Sequence, residues 1–96
     1  MKRIVLESEE IALLLKVERS EVGGGFYSSV AEFLEDNEDL PQGKTAVLEV
    51  EDREFFDISF VVKDYLADEN INEDKKPSGN EFLGLIKLIG KLNSLS

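Results

Sequence analysis

The chain has 96 residues, the length of one ordinary domain, and 42% of them are hydrophobic, which excludes wholesale disorder. It contains no cysteine and no histidine, so it can form no disulfide, no thiolate nucleophile and no histidine-based acid–base site. The 21 acidic residues outnumber the 11 basic ones and give a formal charge of −10. That charge opposes direct binding to nucleic acid and to anionic membranes, and it favours a basic partner.

The N-terminal segment predicts a β-hairpin. Residues 3–6 form a short apolar run, and residues 7–10 form an acidic break after it. Apolar side chains then occupy every second position from Ile11 to Val17, which is the period of a strand with one buried face. A helix over residues 9–19 is the alternative, because alanine and leucine are good helix formers. We favour the strand because of the regular alternation and the β-branched Val17.

A glycine loop and a helix are predicted next. The three consecutive glycines at residues 23–25 are typical of a loop, because glycine loses the most conformational freedom in regular structure. Ser29 and Glu32 have the spacing of a capping box, in which the serine oxygen accepts a hydrogen bond from a backbone N–H and the glutamate reaches back. The helix ends in residues 35–39, four of which are acidic. Acidic side chains at the end of a helix oppose the helix dipole, so we expect them to serve another purpose. Residues 40–43 form the turn that follows.

The central stretch, residues 45–62, is the expected centre of the core. Two runs of alternating apolar residues flank a charged break at residues 51–54, which predicts a second antiparallel hairpin. The second strand would place Phe56 and Phe60 on its buried face. The alternative is that part of this stretch forms a short helix beginning near Ser59. The apolar residues with helical spacing are Phe55, Ile58, Val62 and Leu66.

The C-terminal third predicts a polar loop and a final helix. Residues 67–79 are polar and contain Pro77 and Gly79, which is typical of a loop. Ser78 and Glu81 again have capping-box spacing, so we expect the helix to begin there. Its apolar stripe consists of Phe82, Leu85, Ile86, Ile89 and Leu92.

The predicted order of elements repeats itself. Residues 5–10 resemble residues 47–52, and each segment is followed by an alternating run and then by a capped helix. A similarity over so few positions also arises by chance. We predict an α+β fold formed by a single domain over residues 1–96, with the element order ββαββα. Its two β-hairpins would form one four-stranded antiparallel sheet, with two helices packed on one face.

No motif indicates catalysis or a cofactor. The glycine run lacks the Gly-Lys-Ser/Thr ending of a phosphate-binding loop, and Glu21 beside it would repel phosphate. Four residues alternate like the first half of a calcium loop, but Glu73 and Gly79 stand where that loop requires glycine and glutamate. We therefore expect no enzyme activity, no cofactor and no metal. The four residues are Asp68, Asn70, Asn72 and Asp74.

The acidic residues are the remaining candidate site. They gather on the helix that starts near Ser29 and around the break at residues 51–54, and carboxylates on a small rigid domain can imitate a phosphate backbone in a basic channel. We therefore expect a non-enzymatic module that binds and blocks a basic partner protein of the kind that binds nucleic acid, as a phage-type inhibitor or an immunity protein does. The predicted partner-binding residues are Glu32, Glu35, Asp36, Glu38, Asp39, Glu49, Glu51, Asp52, Glu54 and Asp57.

The alternative function is that of a small accessory domain that forms a homodimer through its apolar C-terminal helix, with acidity serving solubility alone. We expect a cytoplasmic protein without membrane association. The N-terminal residues lack the apolar run of a signal peptide, and the apolar segment at residues 82–95 is too short to span a bilayer.

Overall fold

A computed structural model describes residues 1–20, 25–71 and 79–95 of the chain. Within these ranges it contains two strands and four helices in the order βααβαα. The elements are β1 (Lys2–Glu7), α1 (Ser8–Arg19), α2 (Ser28–Asp36), β2 (Thr45–Val50), α3 (Asp52–Ile71) and α4 (Gly79–Leu95).

The two strands pair with each other across the chain. β1 and β2 form an antiparallel two-stranded sheet in which Ile4 lies opposite Leu48. Because side chains alternate along a strand, one face of the sheet is buried in the core and the other carries the exposed Val5 and Val47. The strand predicted at residues 3–6 is confirmed, but it has no partner strand next to it in the sequence.

The predicted four-stranded sheet is wrong, because the second strand of each predicted hairpin is helical. α1 replaces the strand expected from Ile11 to Val17 and confirms the alternative helix. Ile11, Leu14 and Leu15 are buried, which is the i, i+3, i+4 spacing of a helical face. The apolar residues of this stretch fit both periods. The helix is favoured because this stretch contains good helix formers and because α1 packs against the other three helices.

α3 replaces the strand expected at residues 55–62, and it begins earlier than the short helix considered as the alternative. The backbone N–H of Glu51 donates a hydrogen bond to Oε1 of Glu54 at 3.0 Å, which satisfies a donor that the start of a helix leaves unpaired. Helical spacing leaves Phe56 and Phe60 exposed, although the predicted strand would have buried both. The buried residues of α3 are Phe55, Ile58, Val61, Val62 and Tyr65.

The predicted capping boxes and loops also need correction. Ser29 does not cap α2, whose N-cap residue is Tyr27. Ser78, the other predicted cap, lies outside the described residues, as do residues 23–24 of the glycine loop. Of the predicted loop at residues 67–79, residues 67–71 belong to α3 and Gly79 begins α4, while residues 72–78 lie outside the described part.

The chain contains an internal repeat of the unit βαα, in place of the predicted ββα. The backbone N–H of Glu7 donates a hydrogen bond to Oε1 of Glu10 at 2.9 Å, and the pair Glu51 and Glu54 repeats this arrangement at the start of α3. Buried positions recur with the same spacing. The equivalent buried pairs are Ile4 and Leu48, Leu6 and Val50, Ile11 and Phe55, Leu14 and Ile58, and Val17 and Val61.

Two lysines fasten α4 to the N-terminal strand and helix. The ammonium group of Lys91 donates hydrogen bonds to the backbone carbonyl of Val5 and, at 2.9 Å, to Oε1 of Glu10. The ammonium group of Lys2 donates to the carbonyl of Leu95 at 3.0 Å, which satisfies one of the acceptors at the end of α4. The last helix therefore contacts β1 and α1 through hydrogen bonds as well as through apolar packing.

Gly84 allows α4 to approach α1 closely. A Cβ atom at this position would lie 2.7 Å from Cδ1 of Leu13, so a larger residue would displace that side chain. At Gly90 of the same helix, a Cβ atom would meet no described atom within 4 Å. Of these two glycines, Gly84 is therefore the one that packing explains.

Truncation of Leu85 should destabilise the fold far more than truncation of Leu83, two residues earlier in α4. Leu85 is 1% exposed and belongs to the core, whereas Leu83 is 59% exposed. We expect Leu85→Ala to lower the free energy of unfolding by about 2–5 kcal/mol and Leu83→Ala to change it by less than about 0.5 kcal/mol. Urea denaturation followed by circular dichroism measures both changes. Equal losses would contradict the packing of α4.

Candidate protein-interaction surface

The first group of predicted acidic residues lies on α2 and in the turn after it. α2 buries Val30 and Leu34, so helical periodicity turns the acidic residues between and after them towards solvent. The side-chain amide of Asn37 donates a hydrogen bond to the carbonyl of Phe33 at 2.8 Å and closes the helix end. The acidic residues are therefore not needed to terminate α2. The exposed members are Glu32, Glu35, Asp36, Glu38 and Asp39.

The second group lies at the junction of β2 and α3 and not at the tip of a hairpin. Glu49 belongs to β2, Glu51 precedes α3, and Asp57 lies in its second turn. Asp52 and Glu54 occupy the first turn, where the positive end of the helix dipole favours carboxylates. Part of this group therefore stabilises the helix on which it lies.

A side-chain hydrogen bond joins the two groups. The hydroxyl of Ser29, at the start of α2, donates to Oε2 of Glu54 at 2.6 Å. This bond, and after it the hydrogen bond from the Glu51 backbone, lowers the pKa of Glu54 below its ordinary value. Glu32 and Asp36 follow Ser29 at helical spacing, so a row of carboxylates runs along α2 from the junction.

Three of the ten predicted residues are paired with cations of the same chain. Exposed ion pairs of this kind contribute roughly 0–1 kcal/mol to stability, but they reduce the charge left for a partner. The pairs are Glu38 with Arg19 at 3.2 Å, Glu49 with Arg3 at 3.3 Å and Glu51 with Arg53 at 3.7 Å. We define the acidic surface as the carboxylates of α2, of the turn after it and of the first turn of α3 for which the described residues provide no ion pair. These are Glu32, Glu35, Asp36, Asp39, Asp52 and Glu54.

An exposed aromatic patch lies beside the junction, and sequence reasoning missed it. Phe56 is 71% exposed, Phe60 is 56% exposed and Tyr27 is 46% exposed. Together with Arg53 and Asp57, these three side chains line an open groove between the start of α2 and α3. We call Tyr27, Phe56 and Phe60 the aromatic patch.

Helical periodicity is the signal that would have found this patch. A helix turns by about 100° per residue, so Phe56 and the buried Tyr65 point to opposite sides of α3. The strand period instead assigned Phe56 and Phe60 to the same face as Ile58, which is truly buried. Because a strand period was assumed for a helical stretch, two exposed phenylalanines were predicted to lie in the core.

Asp57 is half-buried at the edge of the aromatic patch. Partial burial raises the pKa of its carboxyl above the ordinary value of 3.8, because the charged form loses hydration. A carboxylate that has lost part of its water gains more from a nearby cation than a fully hydrated one does. Asp57 therefore gains more from a nearby cation than the exposed carboxylates of α2 do.

The described residues hold no cluster of side chains arranged to bind a metal ion. Two of the predicted calcium-loop positions, Asn72 and Asp74, lie outside the described residues. Asp68 and Asn70 belong to α3, where the backbone is helical and not a loop. In the described part of the chain, no helix is both long enough and apolar enough to cross a bilayer.

Comparison of the chain with protein-family models, with curated proteins and with solved structures finds no match. The acidic surface and the aromatic patch are therefore the features of the chain on which a proposed function can be based.

Ser29→Ala should destabilise the fold at neutral pH and less so in acid. The hydroxyl favours ionised Glu54 and lowers its pKa, so its stabilisation is present above the ordinary pKa of 4.5 and is lost as the pH falls through the lowered pKa. The matched control is Ser28→Ala, since both serines are exposed at the start of α2 and Ser29 is the one that contacts Glu54. Melting temperatures across this pH range should fall for Ser29→Ala alone, by an amount that shrinks in acid. A loss that is independent of pH would contradict the role of Glu54.

Proposed function

We propose that this chain is a non-enzymatic interaction module that binds a basic partner protein through its acidic surface and blocks the partner's nucleic-acid-binding site. The observation that carries the proposal is the hydrogen bond from Ser29 to Glu54, because it makes the two acidic groups neighbours. The formal charge of −10 adds a long-range attraction for a basic surface.

Carboxylates on two helices are well positioned for such a contact. Glu32 and Asp36 lie one turn apart on α2, where Cβ atoms are about 5–6 Å from each other. Asp52 and Glu54 are held at the first turn of α3. Anions in fixed positions can occupy the lysines and arginines that a partner would otherwise use for phosphates, so this protein and nucleic acid would compete for the same cations.

Removal of two charges from α2 should weaken binding more than removal of two charges from another part of the surface. Glu7 pairs with Thr45 at the end of the two-stranded sheet that is farther from Val50, so Glu7 and Glu9 lie about 16 Å from the junction of β2 and α3. The test variant is Glu32→Gln/Asp36→Asn, and the matched control is Glu7→Gln/Glu9→Gln, which has the same net charge. We expect roughly two- to thirtyfold weaker binding for the test variant, mainly through a slower association rate.

The measurement is surface plasmon resonance against a partner recovered by affinity purification, at several salt concentrations and with competing nucleic acid. Affinity should fall as salt rises, and nucleic acid should displace the protein. Equal effects of the two variants would show that net charge alone attracts the partner. Simultaneous binding of nucleic acid and this protein would contradict the blocking role.

A second candidate is a homodimer formed through α4. Most of the predicted apolar stripe is used inside the chain, since Leu85 and Leu92 are 1% and 2% exposed. Among the described residues of α4, the exposed apolar side chains that remain for a second copy are Leu83, Ile86 and Leu95. This candidate predicts a dimer in sedimentation equilibrium that Leu83→Ser/Ile86→Ser converts to a monomer. A parent chain that stays monomeric at high concentration would contradict it.

A further inference from the structure

The aromatic patch is not required by the fold. Phe56 and Phe60 point away from the buried side of α3. The internal repeat provides a comparison, because the equivalent positions of α1 are Ala12 and Lys16, and both are exposed. In the first unit, therefore, these positions hold a small residue and a lysine that pairs with Glu81 of α4, and not aromatic rings. Neighbouring exposed aromatic side chains are more typical of a binding site than of an ordinary solvated helix face.

We propose that the aromatic patch anchors a basic amphipathic helix of the partner protein. Apolar side chains of that helix would pack on Tyr27, Phe56 and Phe60, while its lysines and arginines would reach the carboxylates around them. The inference rests on the proposed function, because it takes the partner to be basic. It adds the site at which the partner's apolar side chains bind.

The spacing of the patch suits a helix. Phe56 and Phe60 are one turn apart on α3, so their side chains lie next to each other on its surface. Tyr27 lines the same groove from the start of α2. A partner helix that presents apolar residues one turn apart would match this spacing, as helices bound in apolar grooves do. Aromatic side chains at such contacts carry a large share of the binding energy.

The acidic residues around the patch select a basic occupant. Asp52 and Glu54 precede Phe56 in α3, and Asp57 lines the groove itself. Asp64 follows Phe60 by one turn and is also exposed. Carboxylates therefore lie at both ends of the patch and along its edge, where the flanking lysines and arginines of a basic helix would meet them.

Among the described residues, the cations near the patch are Arg53, Lys63 and Lys2, and each has a contact within the chain. Lys2, which lines a groove with Phe56, donates a hydrogen bond to the carbonyl of Leu95 at 3.0 Å. Arg53 pairs with Glu51 at 3.7 Å, and the ammonium group of Lys63 donates a hydrogen bond to the side-chain oxygen of Asn93 at 3.3 Å. A second copy of this chain would bring the same acidic residues and a further charge of −10 to the interface. Charge complementarity therefore favours a basic protein over a second copy and over an anionic membrane.

A pair of synthetic peptides tests the proposal. The probe is a peptide of roughly 18 residues, about five helical turns, built from leucine and lysine with all leucines on one helical face. The reference peptide has the same composition in scrambled order, so its charge is the same and it has no apolar face. Fluorescence anisotropy with the full chain should show at least about tenfold tighter binding of the probe than of the reference.

Substitution of the patch should abolish this preference. Phe56→Ser/Phe60→Ser should reduce binding of the probe to the level of the scrambled peptide, with unchanged circular dichroism because both side chains are exposed. The control is Val5→Thr/Val47→Thr, which removes two exposed apolar side chains from the outer face of the sheet. The control should bind the probe as the parent does.

The outcomes separate this inference from the proposed function. Equal binding of the two peptides to the parent chain would overturn the anchor site, whereas the proposed function fails separately if Glu32→Gln/Asp36→Asn binds the partner as well as the control does. Dissociation of a dimer by Phe56→Ser/Phe60→Ser would assign the patch to a second copy. Loss of binding to phosphatidylcholine vesicles in that variant, with peptide binding unchanged, would assign it to lipid. Either result would overturn the proposal.

Discussion

The pairing of β1 with β2 is the contact on which the rest of the fold depends. A two-stranded sheet is marginally stable in water by itself, so it persists because helices cover one of its faces. α1 follows β1 directly and α3 follows β2 directly, so the register that places Ile4 opposite Leu48 also sets where both helices begin. α2 contacts β2 and α4 contacts β1, so each βαα unit covers the strand of the other unit.

The sequence predicts the elements whose apolar period is unambiguous, which are β1, β2, α2 and α4. It fails at residues 11–17 and 55–62, where apolar side chains occupy enough positions to fit a strand and a helix. Whether such a stretch forms a strand or a helix depends on which other elements pack against its apolar side chains. The spacing of residues along the sequence does not contain that information. The exposure of the acidic residues was predictable from their charge. The contact between Ser29 and Glu54, which joins the two acidic groups, was not predictable because these residues are distant in the chain.

The internal repeat shows how one junction of strand and helix became a candidate binding surface. Glu10 and Glu54 occupy equivalent positions, and each accepts a hydrogen bond from the backbone three residues before it. In the first unit Lys91 pairs with Glu10 at 2.9 Å and α4 covers the junction. In the second unit Ser29 contacts Glu54, and the aromatic patch lies exposed beside it. A cation and a helix close the first junction, whereas the second presents charge and aromatic rings to solvent.

The hydrogen bond from Lys2 to Leu95 places the first strand beside the last turn of the final helix. A short linker could therefore join β1 to α4, and elements that lie side by side in this way tolerate circular permutation. New ends could be opened at residues 41–44, which are exposed and connect the two βαα units. We expect the permuted chain to form the same strand pair. The contacts between the two units are made by their apolar faces and do not depend on the order in which the units are joined.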